Sequence, residues 1–196
     1  MALTTTQVNQ AFLATLGRPA EGSAATWGST SLSLGTLSDS IFIAENTEDF
    51  VESLYTGFLG RASDAEGKAF WNSLLATTSK EAVLAQFKAA VIAAGQADPS
   101  NADYQSFIAQ NKAFVTTLYA NLLGRDDAKT ADAEGIDFWA NALATGMSRG
   151  DLISAFVSAA LSDPNSDDAQ TLNAKVSVAD AFSAAFNDFG KDVTAD

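Results

Sequence analysis

The sequence predicts an all-α protein in which about three repeated helical units pack as one compact or solenoid-like domain. Three observations predict it. A twelve-residue phrase occurs twice, as Phe50 to Arg61 and as Phe114 to Arg125, with Phe-Val-x-x-Leu-Tyr-x-x-x-Leu-Gly-Arg in common. Its apolar residues recur three and four apart, the spacing of one helix face. Finally, 47% of the 196 residues are hydrophobic and only three are proline, so a helical core can be filled.

The first unit, about residues 5–45, is degenerate. Val8, Phe12 and Leu16-Gly17-Arg18 precede Ala20-Glu21-Gly22 and then Trp27. After that tryptophan, Gly28 to Ser40 is rich in Ser, Thr and Gly, which predicts irregular structure or one short helix. The second unit, about 48–98, opens with a helix whose face is Phe50, Val51, Leu54, Tyr55, Phe58 and Leu59, and Gly60 stands where a C-terminal glycine belongs. Asp64 is a natural N-cap for the helix that carries Phe70-Trp71. Thr78-x-x-Glu81 then resembles a capping box that opens a third helix, with Val83, Leu84, Phe87 and Val91 turned inward.

The third unit, about 112–163, repeats this plan. Asp132 caps the helix of Phe138-Trp139, and Ser148-x-x-Asp151 opens the helix of Leu152, Ile153, Phe156 and Val157. Both full units end in a proline stop, Asp98-Pro99 and Asp163-Pro164. A last helix, about 169–189, presents Leu172, Val176, Ala179, Phe182, Phe186 and Phe189 and is expected to cap the stack.

Composition bounds the function. With neither cysteine nor histidine, the chain has no disulfide, no thiolate or imidazole metal site and no His-dependent triad. Much of enzymology is excluded; carboxylate-only chemistry, such as a glycosidase pair, survives, but the repeated acids fall at cap positions, so the expectation is that the protein is not an enzyme. A net charge of −13 opposes nucleic acid and a bare anionic membrane alike. The favoured partner is a neutral sugar, or an anion bridged by a divalent cation. Met1 to Gly17 has no Lys or Arg and no long apolar run, so neither a Sec signal nor a membrane span is expected there.

Several residues are candidates for binding. Trp27, Trp71 and Trp139 recur at one place in the unit; each is read as a core anchor, although such a ring can also stack on a sugar. Arg18, Arg61 and Arg125 follow the turn glycines and have Glu21, Glu66 and Glu134 as their nearest partners, a structural pairing that competes with anion binding. Ligand-binding candidates are the loops after these turns and the Ser/Thr-rich stretch, namely Trp27, Ser29, Thr30, Ser31, Asp64, Asp127 and Asp132. Asp126, Asp127, Asp132, Asp163, Asn165 and Asp167 gather oxygens that suit Ca²⁺, the one cofactor considered, although acidic turns are usually solvated caps.

The phrase Phe-Val-x-x-Leu-Tyr-x-x-x-Leu-Gly-Arg, continued by Asp-Ala-Glu-Gly and Phe-Trp, resembles a helical repeat of unknown function from bacterial exoproteins. With a repeat that starts at once and no cysteine, the chain looks like the amino-terminal region of Gram-negative S-layer proteins of the Campylobacter and Caulobacter type. That resemblance implies an extracellular, cell-surface domain that anchors the lattice by binding the O-polysaccharide of lipopolysaccharide and touches neighbouring S-layer subunits. It also implies export without an amino-terminal signal peptide, by type I secretion. A spacer or adhesin module of a secreted exoprotein is the second reading, and a carboxylate-based carbohydrate enzyme the third.

Overall fold

The computed structural model describes residues 2–21, 24–29, 33–46, 48–125 and 132–192, and every regular element among them is a helix. In chain order these are α1 (Thr5–Leu16), α2 (Ala24–Gly28), α3 (Leu34–Glu45), α4 (Phe50–Leu59) and α5 (Ala65–Leu75). They are followed by α6 (Lys80–Ala97), α7 (Ala102–Leu123), α8 (Ala133–Ala144), α9 (Arg149–Ala160) and α10 (Asp167–Asp192). Local chemistry accounts for most of the ends. Thr4 and Gln7 form a reciprocal capping box on α1, Asp49 and Asp64 cap α4 and α5, and Ser148 caps α9.

The predicted cap of α6 is one residue off. Ser79, not Thr78, accepts from the Ala82 amide, and the Thr78 hydroxyl instead donates to the Leu74 carbonyl at the end of α5. In the first unit the Ser/Thr-rich stretch yields a twelve-residue helix, α3, rather than a short one, with the Ser33 hydroxyl accepting from the Thr36 amide. At the other end, α10 starts two residues earlier than expected and runs three further.

The helices gather into two compact units. One comprises residues 1–38, 116–132 and 148–196; the other comprises residues 39–115 and 133–147. In the first, α10 lies against α1 and α9, and its inward stripe is Leu172, Val176, Ala179 and Ser183. Phe182 and Phe186 were expected in that stripe, yet both are about half exposed. The reason lies in the turn after Ala179: Ser183 takes the inward place there and donates to Asn9. The Phe189 side chain falls outside the described residues.

In the second unit, Phe50, Val51, Leu54, Tyr55 and Phe58 of α4 meet Trp71 of α5 and Val83, Leu84 and Phe87 of α6. Packed rings fix the centre, with Tyr55 edge-on to Phe87 at 5.2 Å and Trp71 tilted against the same ring at 5.3 Å. The third unit's copy of the first contact, Tyr119 against Phe156 at 4.9 Å, is kept in the other compact unit. The two tryptophans are not equivalent, contrary to expectation. Trp71 is the buried residue of α5, whereas Trp139 is half-buried because Ala140, Leu143 and Ala144 form the inward face of α8.

Candidate functional site

Each Leu-Gly-Arg turn is built the same way. Gly60 and Gly124 adopt left-handed backbone at φ 64° and 68°, and the amides of Arg61 and Arg125 reach back to the carbonyls of Tyr55 and Tyr119. The arginines then point onward along the chain. Arg61 makes a bidentate pair with Asp103, Nε to Oδ1 at 2.8 Å and Nη2 to Oδ2 at 2.9 Å, and its guanidinium lies over the Tyr55 ring. Arg125 holds Asp168 at 2.7 Å. Asp103 and Asp168 occupy the same place, the first turn of the helix after each proline stop.

This corrects the expected pairing of Arg61 with Glu66. Asp64 is its second partner, at 3.5 Å, and Glu66 makes no ion pair among the described residues. Arg125 likewise pairs with Asp168 and not with Glu134. Only Arg18 keeps the local arrangement, 3.7 Å from Glu21.

A second repeated device ties the following loop to its helix, and sequence reasoning missed it. The Glu52 carboxylate accepts from the Ser63 amide at 3.2 Å and from its hydroxyl at 2.5 Å; at the matching positions Asn9 Oδ1 accepts from the Ala20 amide at 2.9 Å. Lys68 closes the first copy by donating to Asp49 at 2.6 Å and Glu52 at 3.4 Å. Asp180 closes the other, accepting from Thr6 and Asn9 at 2.8 Å each. The bond from Ser63 holds the Glu52 carboxyl below its usual range, and that from Lys68 does the same for Asp49.

The predicted ligand residues have modest surroundings. Trp27 is half-buried with its ring edge-on to Phe12 at 6.3 Å, Ser29 donates to the Thr26 carbonyl, and Thr30, Ser31 and Asp127 lie outside the described residues. Asp64 caps α5 by accepting from the Gly67 amide at 2.7 Å, and Asp132 is exposed directly before α8. Of the metal candidates, Asp163 accepts from the Asn165 amide at 3.0 Å in the turn after α9, and Asp167 stands on the first turn of α10. Asp126 lies outside the described residues, and among those described no three carboxylates are grouped to hold a metal.

Two other surfaces stand out. Phe70 and Phe138, the first residues of the repeated Phe-Trp pair, are 60% and 64% exposed, each with its ring 4.9 Å from the neighbouring tryptophan. Successive helix residues are about 100° apart, so only one of two adjacent aromatics can face the core. That signal was present in the sequence. In the first compact unit, a groove of about 690 Å³ is lined by Leu13, Pro19, Asn121, Lys175, Val178 and Phe182. The Lys175 ammonium donates to the carbonyls of Ala120 and Asn121 at 3.0 and 2.8 Å, capping α7, and burial pushes its pKa down.

Comparison with known proteins gives one family. No curated protein and no solved structure matches the chain. Residues 37–91 and 97–161 match, in tandem, the family described as a domain of unknown function, DUF4214. Both matched segments start before the repeated phrase, so the family's unit takes in most of α3 in one copy and all of α7 in the other. The matches cover more than half of the chain, which belongs to the DUF4214 family.

Proposed function

We propose that this protein is a non-enzymatic, extracellular anchoring domain of the S-layer type, which holds its parent lattice to the outer surface by binding the O-polysaccharide of lipopolysaccharide. The observation that carries the choice of ligand is the state of the basic side chains. Arg61, Lys68, Lys88, Lys112 and Arg125 each hold a carboxylate at 2.6 to 2.8 Å, and Lys175 is engaged on backbone carbonyls. In a chain of net charge −13, these cations neutralise the protein's own acids. A phosphate-rich ligand such as lipid A would therefore meet repulsion, whereas a neutral, hydroxyl-rich polymer would not. No described helix is long and apolar enough to cross a membrane.

The carboxylates favour binding over catalysis. Asp49, Glu52, Asp64 and Asp98 are all held below their ordinary range by hydrogen bonds from side chains or backbone. A glycoside hydrolase needs one acid shifted the other way, so that it can donate a proton near neutral pH. Export by type I secretion and contact with neighbouring subunits belong to the same proposal through the resemblance noted above. The test is co-sedimentation with lipopolysaccharide aggregates that carry or lack the O-chain. Binding to the complete form alone supports the proposal, and equal binding to both forms refutes it.

A further inference from the structure

We infer that Phe70 and Phe138 are twin sugar-stacking stations, each providing the platform for one ring of a neutral polysaccharide; this deepens the proposed function and rests on it. In the Asp-Ala-Glu-Gly-x-x-Phe-Trp segment of the second repeat, most of the repeated positions have a structural task. Asp64 caps the helix, Gly67 leaves room for the Tyr55 hydroxyl, and Trp71 enters the core. Phe70 does not, and its copy Phe138 is exposed to the same degree.

A buried role would explain a repeated phenylalanine, but these rings are mostly in water. The neighbouring positions do change between the copies: Lys68 becomes Ile136, Ala69 becomes Asp137 and Asn72 becomes Ala140. The exposed phenylalanine persists while its flanks vary.

The chemistry around each ring favours a sugar over a protein surface. Glu66, Phe70 and Ser73 fall within about 60° of one another around the helix, and so do Glu134, Phe138 and Asn141. All six are exposed. Each ring thus stands beside its tryptophan with hydrogen-bonding groups on its exposed side, where the centre of a protein interface would be apolar and poor in charge. A pyranose offers the complement, a C–H face for the ring and hydroxyls for a carboxylate, amide or hydroxyl. The Ser73 hydroxyl donates to the Phe70 carbonyl and so presents its lone pairs outward, and Asp137 beside Phe138 is held by Lys112. Both stations belong to the same compact unit, which suits a polymer of repeating composition.

The experiment titrates the whole chain with O-polysaccharide released by mild acid from the cells that make the protein, using calorimetry. Phe70→Leu and Phe138→Leu keep an apolar side chain but remove the planar face. Each alone should weaken binding by about tenfold or more, and the pair should remove it, with the thermal midpoint unchanged. The Phe70→Tyr/Phe138→Tyr pair should retain binding. A leucine pair that binds within twofold of the unaltered protein overturns this assignment and leaves the proposed function standing. If the unaltered protein binds no polysaccharide, both fall. A leucine pair that keeps polysaccharide binding but loses concentration-dependent self-association, seen by sedimentation, would reassign the two rings to contact between copies.

Discussion

Replacing Trp71 by alanine should destabilise the second compact unit strongly. The side chain is 8% exposed and its ring lies tilted at 60° against Phe87, 5.3 Å away. A tryptophan buries on the order of 200 Å², which at about 25 cal/mol per Å² is roughly 5 kcal/mol of transfer free energy. Alanine keeps the share of its own methyl group, which leaves about 4 kcal/mol, within the roughly 3–5 kcal/mol range for large core aromatics. Trp139→Ala, at a half-buried ring, should cost about half as much, roughly 2 kcal/mol. Urea unfolding followed by far-ultraviolet circular dichroism measures both without relying on the indole that is removed. A cost below about 1 kcal/mol for Trp71→Ala, or a larger cost at Trp139 than at Trp71, would refute the packing argument.

Three further outcomes follow from the same geometry. Gly67→Ala sets a methyl against the Tyr55 hydroxyl and should destabilise by about 1–3 kcal/mol despite the better helix propensity of alanine; in a Tyr55→Phe background the penalty should shrink. Because Asp49 and Glu52 bind protons less readily folded than unfolded, their stabilisation is present above their ordinary 3.8 and 4.5 and is lost as pH falls through the lower folded values. The urea midpoint should therefore drop on acidification from about pH 6 to about pH 3, and less steeply in Glu52→Gln. Calcium at millimolar concentration should leave the melting temperature unchanged, and a rise would assign the acidic turns a weak site of about 10⁻⁴ to 10⁻³ M.

What could be read in the sequence was local. The left-handed glycines, the caps at Asp64 and Ser148 and the inward stripes of α4, α6 and α9 depend on residues within a turn or two of one another. They were legible for that reason. Arg61 shows the limit: its carboxylate partner lies forty-two residues onward, while Glu66 and Asp64 are close in sequence and offered themselves first. The Glu52 to Ser63 tie and its Asn9 to Ala20 copy were hidden because different side chains perform the same task. Thr78 and Ser79 are both good caps, and only the bond from Thr78 back to Leu74 decides between them. For the candidate site, the tryptophans drew attention as the larger rings. Which of two adjacent aromatics faces water follows from the helix phase, and that was fixed by packing of Trp71 beneath Tyr55 and Phe87.

The most direct measurement is the staining of living cells stripped of their surface layer with fluorescently labelled protein. The account predicts saturable coating of cells that carry O-polysaccharide and none of an isogenic mutant without it, with retention sustained by many modest contacts. Loss of the coat in EDTA would show that a cation bridges the sugar. Equal staining of both strains, or of neither, would contradict the anchoring role.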